Sequence, residues 1–147
     1  MIRATLIALI FFSSAISSEK KDILDALDKY NNAFGEADYS QIIDFFDYPA
    51  SFNLKNKTIT AHTKFKLKLI YKKLRGDLPD YYSHSMWDKI KIQLTDNNIA
   101  IVNANFSRYK EDGSKFYSGS VQYHLRFKDN MWKIFSLTPY TNIKTLD

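Results

Sequence analysis

Three histidines are the side chains of this 147-residue chain whose ordinary pKa lies nearest to neutral pH. His84 and His124 are predicted within regular structure or at its edge, and His62 in a loop that enters a helix. No two histidines have the spacing that places both imidazoles on one helix face, and the chain has no cysteine. The sequence therefore predicts no transition-metal site, no thiol nucleophile and no disulfide. A histidine remains the best single candidate for acid–base chemistry.

Aromatic and acidic side chains next to predicted turns form a second group of candidates. Asp47 and Tyr48 come just before a proline, and Tyr82, His84 and Trp87 lie in a predicted loop before the first long strand. Such a loop either approaches the mouth of a pocket or covers the edge of the core with its rings. No Gly-x-Ser-x-Gly elbow and no glycine-rich phosphate loop is found in the sequence. The sequence thus predicts neither a serine-hydrolase triad nor a nucleotide site.

The strand that carries His124 has two chemically different faces. Its apolar face consists of alternate residues, which are Val121, Tyr123, Leu125 and Phe127. His124 shares the opposite face with Gln122 and Arg126. Because apolar faces pack inward, we expect His124 on the side of solvent or of a second subunit. If the sheet curls the other way, His124, Gln122 and Asn103 line a polar cavity instead.

A predicted helix over residues 64–75 concentrates positive charge in a chain whose formal net charge is +5. Its basic residues are Lys64, Lys66, Lys68, Lys72, Lys73 and Arg75. Phe65 and Tyr71 interleave with them, and basic and aromatic residues together are typical of surfaces that bind nucleic acid or anionic membranes. A solvated charged helix face is the commoner case, and an exported protein rarely meets nucleic acid. We therefore expect no nucleic-acid partner.

The first residues have the three-part order of a secretory signal. Met1-Ile2-Arg3 is positively charged, residues 4–12 are an uncharged apolar run, and residues 13–18 are mostly small. The run is shorter than the roughly 20 apolar residues that span a bilayer. We predict a signal peptide over residues 1–17, cut after Ala15 or Ser17, and a single domain over 18–147. The mature chain is expected to be periplasmic or secreted, without stable membrane insertion.

Hydrophobic periodicity predicts an α+β fold, with a curved antiparallel sheet packed on N-terminal helices. Helices are predicted over 22–37, over a short segment capped by Asp38, and over 64–75, where the first half also alternates like a strand. Pro49 is expected to break the chain before a hairpin formed by 51–54 and 58–60. The long strands are predicted over 89–94, 99–109, 115–127 and 131–137. Asp112-Gly113, between the strands predicted over 99–109 and 115–127, is a strong hairpin signal.

This order of elements resembles the NTF2-like superfamily, which includes SnoaL-like and ketosteroid-isomerase-like proteins. The resemblance rests on residues 49–52 (Pro-Ala-Ser-Phe) and on the closing segments 105–113 and 123–134, and it covers nearly all of residues 22–138. It implies a conical pocket between the sheet and the long helix. Tyr30 matches the tyrosine that ketosteroid-isomerase-like members use to stabilise an oxyanion. The positions of the base and of the second acid fall at Asn53 or Leu54 and near Tyr123, so neither is a carboxyl group.

These observations favour a non-catalytic module that binds a small hydrophobic ligand or a partner protein and forms a homodimer through its sheet. The alternative is an isomerase, dehydratase or cyclase that uses Tyr30 with His84, His124 or Asp47. No cofactor is predicted for either function. The candidate pocket residues are Tyr30, Asp47, Tyr48, Tyr82, His84, Trp87, Asn103 and His124.

Overall fold

The computed structural model describes the backbone of residues 2–146 and the side chains of residues 18–146. The side chains of the predicted signal peptide, including the apolar run 6–12 that we expect to project from the domain, lie outside the described residues. The backbone from Ile2 to Gly35 is one helix, so the helix begins earlier than the predicted start at Asp22. Within the described part of the chain, no helix combines the length and the apolarity needed to cross a membrane.

Three helices precede or interrupt the strands: α1 (Ile2–Gly35), α2 (Tyr39–Ile42) and α3 (Lys64–Gly76). A 3₁₀ turn, Ile43–Phe45, follows α2 directly. The Asp38 carboxylate accepts a hydrogen bond from the Gln41 amide at 3.0 Å, and the Thr63 hydroxyl accepts one from the Lys66 amide at 3.1 Å. Both helices therefore begin at capped positions, and the cap predicted at Asp38 is confirmed.

Six strands form one curved, open sheet: β1 (Phe46–Asn53), β2 (Thr58–Ala61), β3 (Tyr82–Leu94), β4 (Ile99–Lys110), β5 (Lys115–Lys128) and β6 (Met131–Tyr140). Their order across the sheet is β2-β1-β6-β5-β4-β3. The α+β class is confirmed, but the sheet is mixed, because β1 lies parallel to β6 while the other neighbours are antiparallel.

Two strand boundaries differ from the prediction. β1 runs through Pro49, whose peptide bond with Tyr48 is cis. The pairing of β1 with β6 is interrupted between Phe46 and Ser51, so the missing N–H of the proline breaks no ladder there. β3 begins at Tyr82 rather than at Lys89. Its register shifts before His84 and again after Trp87, which disrupts the alternation of side chains by which a strand is recognised.

The core lies between the helices and one face of the sheet. The buried residues of the helices include Ile23, Leu27, Tyr30, Leu67 and Tyr71. They pack against buried sheet residues that include Val102, Ala104, Val121, Tyr123, Leu125 and Ile134. The prediction that Val121, Tyr123 and Leu125 face inward is thus confirmed. Phe127 is the exception, because it lies exposed at the end of β5 beside Trp132.

Candidate functional site

A cavity of about 600 Å³ lies between α1, α3 and the inner face of the sheet. Its walls are mainly aromatic and aliphatic, and the polar or charged lining residues besides the tyrosines are Asn31, Lys55, Asp77, Ser85, Arg108, Ser120 and Thr141. The aromatic lining comes from Tyr30, Phe34, Phe52, Tyr71, Trp87, Phe106, Tyr117, Tyr123 and Tyr140. A volume of this size is in the range of small-molecule pockets, and apolar walls with a few polar groups are their usual composition. The cavity is therefore the candidate functional site.

Three tyrosines from three different elements meet at the cavity. Tyr30 comes from α1, Tyr71 from α3 and Tyr123 from β5. The Tyr30 and Tyr71 hydroxyl oxygens are 2.9 Å apart, and the rings of Tyr30 and Tyr123 pack edge to face with centroids 5.9 Å apart. Burial raises the pKa of Tyr30 and raises the pKa values of Tyr71 and Tyr123 well above the ordinary value. The cluster therefore presents neutral hydroxyls to the cavity at physiological pH.

Two nitrogen donors in the cavity wall have no hydrogen-bond partner among the described residues. They are Nε1 of Trp87 and Nε of Arg108, and both atoms are buried. The Arg108 guanidinium carbon lies 5.2 Å from the ring centroid of Phe106 and 4.9 Å from that of Tyr117. The two rings hold the planar cation by cation–π contact and leave this N–H without an acceptor.

Two of the eight predicted pocket residues, Tyr30 and Trp87, line this cavity. Tyr82 is buried nearby, where its hydroxyl is 2.9 Å from the Ser85 hydroxyl. Tyr48 donates a hydrogen bond to the Ile43 carbonyl at 2.9 Å. Burial, with the Asp44 carboxylate as a second cause, raises the pKa of Tyr48 to about 12. These two side chains therefore contribute to packing around the core.

Asp47 lies in a different place, in an ion-pair cluster at the start of β1. Its carboxylate is 2.6 Å from the Arg126 guanidinium and 2.9 Å from the Lys128 ammonium, and the residue is 6% exposed. Burial alone would raise the pKa of Asp47, but the hydrogen bonds from Lys128 and Arg126 outweigh it and lower this pKa. Asp47 is thus a charged structural partner of β5 and is held away from Tyr30.

The remaining candidates lie on the outer face of the sheet. His84 stacks on Tyr109 with ring centroids 5.2 Å apart, and His124 packs against Phe135. Partial burial lowers the pKa of His124. Asn103 accepts a hydrogen bond from Gln122 at 3.0 Å. The sheet turns its apolar face to the helices, so His124, Gln122 and Asn103 do not line the main cavity. Asn103 lines a second, smaller pocket of about 250 Å³ on the outer face, together with Lys89, Lys91, Asn105 and Ile143.

The comparison with known families agrees with this geometry. A family model described as "NTF2-like protein (DUF6841)" matches residues 19–142. The chain belongs to the NTF2-like family. No curated protein matches the sequence.

Solved structures share the NTF2-like fold at low sequence identity. A protein of unknown function from Nostoc punctiforme with a cystatin-like fold is 13% identical, with a TM-score of 0.69 over 82% of this chain and 88% of that one. An NTF-2 like protein of unknown function from Shewanella oneidensis is 15% identical, with a TM-score of 0.65 over 82% and 98%. ActVI-ORFA from Streptomyces coelicolor is 11% identical, with a TM-score of 0.67 over 84% and 96%. At this level of identity the likeness establishes the fold alone.

In this NTF2-like cavity, the positions at which the resemblance places the general base and the second acid hold no carboxyl group. Leu54 and Tyr123 line the cavity, and the Asn53 amide donates to the hydroxyls of Ser136 at 2.9 Å and Thr138 at 3.1 Å. Among the described lining residues, Asp77 is the one carboxylate. It is exposed and lies 3.0 Å from the Lys73 ammonium. The arrangement therefore offers hydroxyl and N–H donors around an apolar space.

The sequence did not identify Arg108 and its ring partners Phe106 and Tyr117 as pocket residues. Ala104, Phe106 and Arg108 alternate along β4, so the arginine lies on the apolar face of the strand. An arginine at an inward position of an otherwise apolar face is the signal that would have identified it. The position of Trp87 could not be derived in the same way, because the bulge after it shifts the register of β3.

Proposed function

We propose that this NTF2-like chain is an exported binding protein that holds a small hydrophobic ligand in the cavity and does not transform it. The observation that carries the proposal is the cavity of about 600 Å³, to which α1, α3 and the sheet all contribute aromatic side chains. Aromatic side chains bury large areas, and a ligand that removes their surface from water gains roughly 25 cal/mol for each Å² buried. The signal-like N-terminus of the sequence supports the exported location.

The alternative function, an isomerase, dehydratase or cyclase, has less support. Tyr30 has a neutral hydroxyl on the cavity wall and would serve as a hydrogen-bond donor to a developing oxyanion. Such chemistry also needs a general base within hydrogen-bond reach of the same substrate. Asp47 is held in its ion pairs, and His84 and His124 lie on the outer face of the sheet. We therefore favour binding.

The test is a thermal-shift screen of the full chain against lipids, steroids and polyketide-like aromatic compounds. Leu74 lines the cavity, and Leu69 lies five residues earlier on α3 and does not line it; their exposures are 44% and 45%. Leu74→Trp places an indole in the cavity wall, and Leu69→Trp makes the same change outside it. We expect hits to raise the melting temperature of the wild type and of Leu69→Trp, and to lose their effect on Leu74→Trp. A screen without hits, or hits that Leu74→Trp leaves unchanged, would contradict ligand binding in this cavity.

The second part of the proposal is a homodimer through the outer face of the sheet. Met86 on β3 is 54% exposed on this face, and Ile101 and Phe135 are half-buried on the same face, further along the sheet. A sheet face with such side chains can pack against a second copy by the same face. Analytical ultracentrifugation of the wild type and of Met86→Lys tests it, and we expect a dimer that the lysine variant weakens. A monomer at all concentrations excludes it.

A further inference from the structure

The unpartnered donors of Trp87 and Arg108 specify the chemistry of the ligand. We propose that the cavity selects a planar apolar molecule with an anionic group, such as an aromatic carboxylate or sulfonate, and that Arg108 and Trp87 bind the anion. This inference rests on the proposed binding function. The juxtaposition of a guanidinium and an indole N–H in one aromatic wall carries the inference.

Arg108 is positioned for an anion from outside the protein. Its side chain lines the cavity, and it forms neither an ion pair nor a hydrogen bond with any of the described residues. Other arginines have internal partners: Arg126 binds Asp47, and Arg75 donates to the carbonyls of Phe34 and Gly35. A buried guanidinium N–H without an acceptor is costly, and a bound carboxylate or sulfonate would remove that cost.

Trp87 adds a second donor on the same face of the sheet. It pairs directly with Phe106 across β3 and β4, and Arg108 lies two residues further along β4, so the two side chains are diagonal neighbours. The indole packs edge to face on Phe106 and on Tyr123, with centroids 6.5 Å and 6.2 Å apart. These contacts hold the ring, and its buried Nε1–H has no hydrogen-bond acceptor among the described residues.

The charge of the lining supports an anion rather than a cation or a neutral molecule. Arg108 and Lys55 are the basic lining residues, and the Asp77 carboxylate is occupied by Lys73. Phe106 and Tyr117 flank Arg108, so the anionic group would lie beside aromatic surface that can receive the ring system of the same ligand. A planar molecule that carries its charge at one end satisfies both requirements.

The test compares two fluorescent dyes that share one ring system. Anilinonaphthalene sulfonate carries the anion, and phenylnaphthylamine lacks it. We expect the full chain to bind the sulfonate more tightly than the neutral dye. Arg108→Met should lower the affinity for the sulfonate about 10- to 100-fold and change the affinity for the neutral dye less than about 2-fold. Trp87→Phe keeps an apolar ring and should lower the affinity for the sulfonate about 2- to 10-fold. Lys91→Met removes one positive charge from the outer face and should leave both affinities unchanged.

The outcomes separate this inference from the function on which it rests. If both dyes bind equally well, or if Arg108→Met weakens both equally, the anion selectivity is wrong and the hydrophobic cavity stands. If neither dye binds, or if Leu74→Trp does not weaken the binding, the proposed function fails as well. Arg108→Lys is the control for folding, because it keeps the charge and loses the planar N–H group. Its affinity for the sulfonate should lie between those of the wild type and Arg108→Met.

Discussion

Individual residues of this protein owe their roles to burial and to the partners around them. Asp47 illustrates this, because its position before a proline suggested a pocket residue and its surroundings make it part of an ion-pair cluster. Sequence reasoning identifies the residue type, but the partners Arg126 and Lys128 come from a strand that is distant in the chain. Chemistry that depends on such long-range neighbours is not visible in local sequence.

Asp47→Asn is expected to lower the free energy of unfolding by about 1–3 kcal/mol at pH 7, because it removes the charge that two cations share. The pKa of Asp47 is lowered in the folded state, so its contribution is fully present above the unfolded pKa and is lost as the pH falls through the folded pKa. Urea unfolding should therefore show a difference between wild type and variant at neutral pH that shrinks below about pH 4.

Asp44→Asn is the matched control for this prediction. Asp44 pairs with Lys64 at 2.7 Å, but both side chains are largely exposed. We expect a change in the free energy of unfolding of less than about 1 kcal/mol. Equal effects of the two substitutions would show that the cluster around Asp47 has no special stability.

Ala37 is the residue at which the backbone after α1 turns, and it has a φ of 55°. The left-handed region costs a residue with a Cβ about 1–2 kcal/mol, and glycine avoids this cost but loses more entropy on folding. Ala37→Gly should therefore stabilise the protein by about 0.5–1 kcal/mol in urea unfolding. Ala26→Gly within α1 should have the opposite sign and cost about 1 kcal/mol. Destabilisation by both variants would contradict the strain at Ala37.

At the scale of elements, local pattern predicted most of the secondary structure. Residues 64–75 alternate at first like a strand, yet the sequence predicts a helix there, and α3 confirms it. The same reasoning failed at β3, where two register shifts hide the alternation, and at β1, which continues through Pro49. Periodicity detects regular elements, whereas bulges and interrupted ladders depend on the neighbouring strand.

The cavity was predictable as a consequence of the fold, but most of its lining was not. The resemblance to NTF2-like proteins implied a pocket between the sheet and the long helix, and Tyr30 lines it. Arg108, Tyr71 and Tyr117 reach the same cavity from different elements. Their convergence depends on the curvature of the sheet and on how α3 packs against it, and neither is encoded in a local spacing.

Gly119 on β5 shapes the cavity by its missing side chain. A Cβ at this position would lie 2.7 Å from Cζ of Phe106 and 2.9 Å from Cε1 of Tyr117, so both rings would have to move. Because these rings flank Arg108, Gly119→Ala should destabilise the protein by about 1–3 kcal/mol and weaken binding of the sulfonate dye. Gly76→Ala meets no atom within 4 Å at the end of α3 and should be neutral or slightly stabilising. Similar melting temperatures and dye affinities for both variants would contradict this role of Gly119.

Arg75 joins α3 to the end of α1. Its Nε and Nη2 atoms donate to the carbonyls of Phe34 and Gly35, each at 3.2 Å, and its guanidinium lies 4.4 Å from the ring centroid of Tyr82. Arg75→Met should lower the free energy of unfolding by about 1–3 kcal/mol, because it leaves C-terminal carbonyls of α1 without this donor. Lys72→Met on the exposed face of α3 should change it by less than about 0.5 kcal/mol. Urea unfolding of both variants checks the difference.

At the scale of the whole molecule, we expect the folded unit and the predicted leader to be separable. The family match begins at residue 19, and the first core residue among the described side chains is Ile23. The sequence before it has a positive start, an apolar run and small residues. We therefore expect residues 1–17 to be removed on export without loss of the domain.

Two independent measurements test this expectation. Mass spectrometry of the mature protein should find an N-terminus between Ile16 and Glu19. A chain that begins at Ser18 should unfold cooperatively and bind the sulfonate dye as the full chain does, because Tyr30, Trp87 and Arg108 all lie beyond the cut. An intact Met1 in the mature protein, or loss of folding on truncation, would contradict export. The basic helix α3, with exposed Phe65 among its lysines, would then be the first surface to examine for an anionic partner.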